Sequence, residues 1–143
     1  MSGPFKGIRV LELTSTVSGP FAGMMLADQG AEVIKVEPPG LGDLARFMGT
    51  IKDGMGAMFS TLNRNKKCIC LDFKNDEDLA VLKKLVSTTD VIIENYRPGI
   101  VKKLGIDYET LVKINPDLIY CSISGYGQSG PYQEKKVYDP LIQ

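Results

Sequence analysis

The sequence predicts an α/β fold built on an open, mainly parallel sheet. Short runs of β-branched and aliphatic residues alternate with longer stretches that have helical spacing, as in parallel sheets with right-handed crossovers. Two of the runs, residues 91–93 and 119–123, are apolar on both faces, which is typical of strands covered by helices on both sides. A chain of 143 residues fits one such domain. We therefore predict one Rossmann-like domain over residues 1–143.

Strand and helix signals follow one another along the chain. The predicted strands are residues 8–13, 31–37, 68–73, 90–94 and 118–124. The predicted helices are residues 20–29, 75–86, 100–104 and 108–114, with one or two helical turns at 58–63. Ser18 is the expected N-cap of the first helix and Gly30 its left-handed end, and Asn75 or Asp76 caps the second. Residues 38–56 are rich in glycine and proline and are predicted to be mostly loop.

Composition narrows the class of protein. The 17 Lys and Arg residues balance the 17 Asp and Glu residues, so no electrostatic steering toward nucleic acid or an acidic membrane is predicted. The chain has no histidine, which excludes His-dependent hydrolysis and His-ligated zinc within it. It shows no signal peptide and no apolar run long enough to cross a bilayer. We expect a cytoplasmic protein without a metal site and without a nucleic-acid or membrane partner.

The three cysteines are expected to be structural. Cys68, Cys70 and Cys121 are odd in number and do not suggest a disulfide framework or a zinc site. Each alternates with apolar residues inside a predicted strand, so we expect them to be buried as small hydrophobic side chains. A catalytic thiol is disfavoured because no histidine is present to activate it.

Polar residues concentrate where the predicted strands end, and ligands of open parallel sheets bind at the carboxyl ends of the strands. The residues expected at this edge are 14–16, Glu37, Asp72, 94–97 and 124–126. The turn after the first strand also offers the free N–H groups of a helix N-terminus, which suit an anion or a thioester oxygen. This turn lacks the glycine spacing of a dinucleotide site, so Glu37 is only a weak sign of NAD binding and could simply orient the following loop.

Basic residues allow two interpretations. The run at residues 63–67 is either a solvated start of the third strand or a phosphate clamp, since Arg and Lys both bind phosphate oxygens. The other candidate cations are Lys74, Arg97, Lys102, Lys103, Lys135 and Lys136. Several of them follow predicted strand ends, so they could converge on one ligand that carries several phosphates. Tyrosines near the glycine-rich turn at 124–132 could stack on a base, although packing is their commoner role.

A series of short motifs covers nearly the whole chain. They are GIRVLEL from Gly7, SGPFA from Ser18, LADQGAEVIKVEPPG from Leu26, NRNKK from Asn63, DVIIENYRPG from Asp90 and IYCSISGYG from Ile119. Each is weak alone, but in this order they resemble class III CoA-transferases, the CaiB/BaiF family, which includes formyl-CoA transferase, carnitine CoA-transferases and α-methylacyl-CoA racemase. The resemblance implies a Rossmann-like CoA-binding portion of the family's large domain, with the C-terminal remainder absent.

The resemblance also implies substrates, partners and contacts. Acyl-CoA and a carboxylate would be substrates, no cofactor would be tightly bound, and the full-length protein would be an interlocked homodimer. CoA carries a 3′-phosphate and a diphosphate, which cations would bind. By position, the family's CoA contacts fall on Thr16, Val17, Ser18, Leu71, Lys74, Asn95, Tyr96, Arg97, Lys103, Leu104, Lys136 and Tyr138.

Three functions stay open. Transferase members use an aspartate nucleophile that by position lies beyond Gln143, so no catalytic residue is expected here and Asp139 is not assigned that role. Racemase members carry a histidine where this chain has Tyr138, which disfavours a racemase. Val17 replaces a glutamine of formyl-CoA transferase, which argues against formyl and oxalyl groups. The first possibility is that the chain is part of an acyl-CoA:carboxylate CoA-transferase that acts through a covalent aspartyl intermediate. The alternatives are part of a racemase-like enzyme, or a CoA-binding fragment without activity of its own.

Overall fold

A computed structural model describes residues 3–143 and contains a five-stranded parallel sheet. The strands are β1 (Arg9–Leu13), β2 (Glu32–Glu37), β3 (Ile51–Lys52), β4 (Met55–Gly56), β5 (Lys66–Cys70), β6 (Val91–Glu94) and β7 (Ile119–Ser122). The helices are α1 (Ser18–Asp28), α2 (Ala57–Leu62), α3 (Asp76–Val86), α4 (Ile100–Lys103), α5 (Tyr108–Leu111) and α6 (Asp139–Ile142), with a 3₁₀ helix at Leu44–Phe47. The large sheet has the order β5-β2-β1-β6-β7, and β3 pairs with β4 in an antiparallel ribbon. The predicted α/β fold with an open parallel sheet is confirmed.

The two faces of the sheet are covered by different helices. The central strands β1, β2 and β6 contribute to the packing on both faces, because their successive side chains point to opposite faces. On one face, Val10 and Val33 pack with Ala27 of α1. On the other face, Leu11 and Ile92 pack in the larger core with residues of α3 and α5, namely Leu82, Val86 and Leu111. No helix within residues 3–143 combines the length and apolar character needed to cross a membrane.

The start of α1 differs from the prediction. Ser18 is already the first helical residue, and Val17 occupies the N-cap position without a side-chain hydrogen bond. The backbone still closes the first turn, since the Phe21 N–H donates to the Val17 carbonyl over 2.8 Å. Ser18 as N-cap was therefore wrong, whereas Gly30 has the predicted left-handed conformation with φ of 101°.

The edge strands are more exposed than the sequence pattern suggested. Ile119 of β7 is 63% exposed, so the prediction that this strand is covered on both faces was wrong. Cys68, Cys70 and Cys121 are likewise exposed rather than buried. The reason is topological: β5 and β7 are the outer strands, and α1 packs on β1, β2 and β6.

The N-terminus of α3 is capped as predicted. The Asn75 side-chain oxygen accepts hydrogen bonds from the Glu77 and Asp78 N–H groups over 2.8 and 3.3 Å. We expect Asn75→Ala to lower the free energy of unfolding by about 1 kcal/mol, because two N–H groups of the first turn lose their acceptor. Urea denaturation would measure the loss. Asn75→Asp keeps an acceptor and should stay close to wild type, so equal losses in both variants would contradict this explanation.

Candidate functional site

The order of the sheet strands reverses beside β1. The chain passes from β1 to β2 on one side and later returns to β6 on the other, so the crossovers diverge and leave a crevice at the carboxyl ends of β1 and β6. A cleft of about 180 Å³ lies at this point. Its walls include Thr14 and Ser15 after β1, Pro38 after β2, and Asn95 and Tyr96 after β6. The predicted ligand-binding edge therefore contains a real concavity.

A second and larger depression lies at the opposite edge of the sheet. It has a volume of about 300 Å³ and is lined by residues that include Gly30, Glu32, Asn65 and Lys67. These residues lie at the amino ends of β2 and β5, whereas parallel sheets bind ligands at the carboxyl ends. We therefore place the candidate site in the smaller cleft.

Asn95 joins the two strand ends that form the cleft. Its side-chain oxygen accepts the Ser15 N–H over 3.0 Å, and its side-chain nitrogen donates to the Ser15 carbonyl over 2.9 Å. The same nitrogen lies 3.5 Å from the Ser18 Oγ at the start of α1. Of the predicted CoA contacts, the structure thus brings Asn95 and Ser18 together, with Tyr96 in the same cleft wall.

Two acidic and two basic side chains are buried together behind the turn that follows β1. Lys35 Nζ lies 3.1 Å from Glu12 Oε1 and 2.9 Å from Asp43 Oδ2, and Lys66 Nζ lies 2.7 Å from Glu12 Oε2. None of the four side chains is more than 1% exposed, and two acids balance two bases. Burial lowers the pKa of the Lys66 ammonium, and the adjacent Glu12 carboxylate opposes that change. Gly23 of α1 makes room for this network, since a Cβ there would clash with Glu12.

Glu37 at the end of β2 orients the following loop. Arg46 donates to both carboxylate oxygens, with Nε to Oε2 at 2.8 Å and Nη2 to Oε1 at 2.7 Å, and the Asp43 N–H donates to Oε2 over 2.9 Å. Burial alone would raise the pKa of Glu37, but the Arg46 and Asp43 hydrogen bonds outweigh it and lower the pKa from 4.5 to about 2. The Arg46 guanidinium also lies 3.8 Å above the centre of the Phe59 ring. Glu37 has the loop-orienting role that was the alternative to NAD binding.

Glu94 at the end of β6 connects the cleft with the glycine-rich turn. It is buried, and it accepts hydrogen bonds from the Ser122 hydroxyl and, over 2.8 Å, from the Tyr96 N–H. Gln128 from the glycine-rich turn donates to the same Ser122 oxygen over 2.7 Å. Burial raises the pKa of Glu94, although the Ser122 and Tyr96 hydrogen bonds partly offset this effect. Burial, followed by the Glu94 charge, also raises the pKa of Tyr96.

The remaining predicted contacts divide into buried and exposed positions. Leu71 belongs to the larger core, and Leu104 packs against that core. Val17 and Tyr138 are 47% and 68% exposed. The four predicted cations, namely Lys74, Arg97, Lys103 and Lys136, are exposed, and they form no ion pair within residues 3–143.

The basic run at residues 63–67 does not behave as a phosphate clamp. Arg64 pairs with Asp28, Lys66 is buried in the charge network, and Lys67 pairs with Glu32 over 2.6 Å. The run lies at the start of β5, at the opposite edge from the cleft. It is not simply a solvated strand entrance either, because the Lys66 ammonium is inaccessible to water.

Sequence reasoning missed two residues that hold the turn after β1. Lys35 Nζ donates to the Thr14 carbonyl over 2.9 Å, and Asp43 Oδ1 accepts the Thr16 N–H over 2.9 Å. A signal was present: Lys35 interrupts an apolar strand, and so does Glu12 in the neighbouring strand. Opposite charges in adjacent covered strands indicate a buried pair. Among the described residues no cluster of three or more His, Cys, Asp or Glu side chains is arranged to hold a metal ion.

Comparison with known proteins identifies the family of this chain. Residues 5–143 match the family model described as CoA-transferase family III. The chain belongs to CoA-transferase family III. The family resemblance inferred from the sequence motifs is thereby confirmed.

Relatives of this CoA-transferase family III chain are much longer. The chain is 45% identical over 141 residues to the acetyl-CoA:oxalate CoA-transferase of Acetobacter aceti, covering 99% of this chain and 36% of that protein. It is 47% identical over 147 residues to a succinate–glutarate CoA-transferase of Agrobacterium fabrum, covering 98% and 37%. The crystal structure of a CaiB/BaiF family protein from Brucella suis matches with a TM-score of 0.94 and 44% identity, covering 100% and 39%. The chain thus spans somewhat more than a third of the length of these relatives.

Proposed function

We propose that this chain is the CoA-binding part of an acyl-CoA:carboxylate CoA-transferase. The observation that carries the proposal is the cleft at the switch point, where Asn95 holds the turn that leads into α1. Membership of CoA-transferase family III and the names of the transferase relatives support acyl-CoA and a carboxylic acid as substrates. In this proposal CoA is a substrate and not a resident cofactor.

Exposed cations support a ligand with several phosphates. Lys74 follows the carboxyl end of β5 and Arg97 follows that of β6, while Lys103 lies at the end of α4. These side chains are exposed and have no acidic partner within the described part of the chain. The cations at the opposite edge, Arg64 and Lys67, are neutralised. Unpaired cations on the ligand-binding edge suit the 3′-phosphate and diphosphate of CoA.

The proposed reaction proceeds through a covalent aspartyl intermediate. In the full-length enzyme, an aspartate carboxylate outside this chain would attack the thioester carbonyl, forming an acyl anhydride and releasing the CoA thiolate. The thiolate would attack the aspartyl carbonyl, giving an aspartyl-CoA thioester and the free carboxylate of the donor acid. The acceptor carboxylate would then attack this thioester and release the thiolate, and attack of the thiolate on the acceptor carbonyl of the new anhydride would give the product acyl-CoA and free the aspartate. The backbone N–H groups near Val17 and the glycine-rich turn at residues 125–130 would hold the thioester and anhydride oxygens. The glycines would also let this turn open and close as a lid.

Transferase chemistry is favoured over racemisation because Tyr138 stands where racemase members carry a histidine, the residue type that most often transfers protons in enzymes. The relatives from Acetobacter aceti and Agrobacterium fabrum are also named as CoA-transferases. Exchange of deuterium into the α-carbon of a branched acyl-CoA, without any acceptor acid, would contradict this preference. A cytoplasmic location and an interlocked homodimer of the full-length protein belong to the same proposal.

We expect the folded chain to bind CoA in a calorimetric titration and to bind dephospho-CoA about tenfold more weakly, because the 3′-phosphate contributes charge-assisted hydrogen bonds. The double variant Lys74→Ala, Arg97→Ala should reduce the difference between the two ligands. Lys84→Ala, which removes another exposed lysine near the end of α3, is the matched control. A folded chain that bound NAD but not CoA would overturn the proposal.

A further inference from the structure

We infer that Asp43 is a positioning residue for the turn after β1, and that the buried Lys35–Asp43 pair fixes this turn in the conformation that receives CoA. The inference rests on the CoA site proposed above. It adds a function for two side chains that lie behind the cleft wall and do not contact the ligand themselves.

The turn contains an unusual backbone conformation. Thr16 has a φ of 71°, in the left-handed region. Within residues 3–143, the other residues except glycine with positive φ are Asp53 and Asn65, and Asp and Asn tolerate this region through their short polar side chains. Threonine is β-branched, so the same conformation is strained. Such a residue keeps a strained conformation only where its surroundings impose it, and these residues cluster at ligand sites.

Asp43 imposes the conformation of Thr16 directly. Its Oδ1 accepts the Thr16 N–H over 2.9 Å and also the Ala45 N–H over 2.9 Å. Its Oδ2 lies 2.9 Å from Lys35 Nζ. The Asp43 side chain is 1% exposed and the Lys35 side chain is fully buried, so water does not compete for either group.

The two sides of the turn are held by the same ion pair. Lys35 Nζ donates to the Thr14 carbonyl over 2.9 Å while it binds Asp43. Asp43 is in turn fixed by its own N–H, which donates to Glu37 Oε2 over 2.9 Å. Residues 14 and 16 are therefore fixed relative to β2, and the N–H groups that follow at the start of α1 have a defined direction before any ligand arrives.

Fixing the turn in advance affects the affinity for CoA through the fraction of molecules whose turn is in the binding conformation. If the turn spends only part of its time in the binding conformation, the apparent Kd rises in inverse proportion to that fraction. Without the acceptor of Asp43, Thr16 would favour negative φ. We expect Asp43→Ala to raise the Kd for CoA about tenfold and to remove the protection of the Thr16 amide against hydrogen exchange.

The matched comparison uses variants of this chain that have been shown to fold by circular dichroism. Asp43→Asn keeps an oxygen that can accept the Thr16 N–H, but its amide nitrogen would face Lys35 Nζ, so it should bind CoA more weakly than wild type and more tightly than Asp43→Ala. Asp107→Ala is the control for stability, because Asp107 also accepts a backbone N–H, that of Thr110 over 3.2 Å, at the start of α5. It should leave the Kd and the Thr16 amide unchanged. Should Asp43→Ala fail to fold, Lys35→Met combined with Asp43→Ala or with Asp43→Asn gives the same comparison, with the buried charges that remain, Glu12 and Lys66, in balance.

Rescue by glycine separates positioning from a general loss of structure. Glycine adopts left-handed backbone without strain, so Thr16→Gly added to Asp43→Ala should recover part of the lost affinity, although the ion pair stays broken. No recovery, or equal losses in Asp43→Ala and Asp107→Ala, would overturn the inference. If the wild-type chain does not bind CoA, the proposed function fails for this chain. The hydrogen-exchange rate of the Thr16 amide then tests the inference by itself. An unchanged rate in Asp43→Ala would refute the positioning role of Asp43, and a faster rate would support it.

Discussion

Replacing Glu12 by glutamine is expected to lower the free energy of unfolding by about 3–5 kcal/mol, the range for removing one partner of a buried ion pair. Lys35 Nζ and Lys66 Nζ lie 3.1 and 2.7 Å from the two oxygens of Glu12, and all three side chains are fully buried. Glutamine would leave two buried ammonium groups with Asp43 as the only carboxylate partner. A typical domain is stable by roughly 5–15 kcal/mol, so this one change removes a large share. Urea denaturation at neutral pH measures it.

Restoring the balance of charge should recover most of this loss. Adding Lys66→Met to Glu12→Gln leaves one buried cation, Lys35, with one buried anion, Asp43, and a neutral side chain of similar length in place of Lys66. Glu32→Gln is the control, because Glu32 also binds two cations, Arg9 and Lys67, but is 36% exposed. It should cost much less. A loss in Glu12→Gln no greater than in Glu32→Gln would contradict the picture of a closed network.

Stability should fall between about pH 4.5 and pH 2 through the protonation of Glu37. Burial opposes ionisation of this carboxyl, but the Arg46 and Asp43 hydrogen bonds lower its pKa from 4.5 to about 2. Since the folded form holds its proton less tightly than the unfolded form, the contribution is complete above pH 4.5 and disappears as the pH falls through the folded pKa. Arg46 is 29% exposed, so solvent screens the pair and we expect about 2 kcal/mol.

The variant Glu37→Gln isolates this contribution. Its stability relative to wild type should be lowest at neutral pH, and the gap should narrow as the pH approaches 2 in urea denaturation curves taken across the range. Glu32→Gln is again the control: hydrogen bonds from Lys67 and Arg9 lower the pKa of Glu32, but exposure weakens their effect. A gap between Glu37→Gln and wild type that stayed constant with pH would refute the assignment.

The central part of the fold could be predicted from local pattern, and its borders could not. β1, β2 and β6 are within a residue of prediction, because their apolar runs are bounded by turn residues. The third predicted strand, residues 68–73, instead runs from Lys66 to Cys70. Its limits follow from pairing with β2, from Val33 opposite Lys66 to Glu37 opposite Cys70, and pairing of this kind is not written in local composition.

The candidate site was predictable where it depends on strand ends, and predictable only in part where it depends on buried charge. Asn95 and Ser15 follow β6 and β1, so the rule for parallel sheets brings them to one edge. Glu12 and Lys35 lie opposite each other in adjacent strands, and each interrupts an apolar run, so the sequence indicates a buried pair but not the further residues that this pair contacts. Asp43 joins them from a loop whose path no local pattern fixes.

The two edge strands of the sheet, β5 and β7, differ in charge, and this difference affects where a further strand could pair. Lys67 at the start of β5 is 73% exposed, and an exposed lysine on an edge strand discourages pairing with a further strand. β7, with the sequence IYCS, carries no charged residue. A strand added beside β7 would leave β1, β2 and the charges between them with their present neighbours. The β7 edge thus lacks the exposed lysine that discourages strand pairing at the β5 edge.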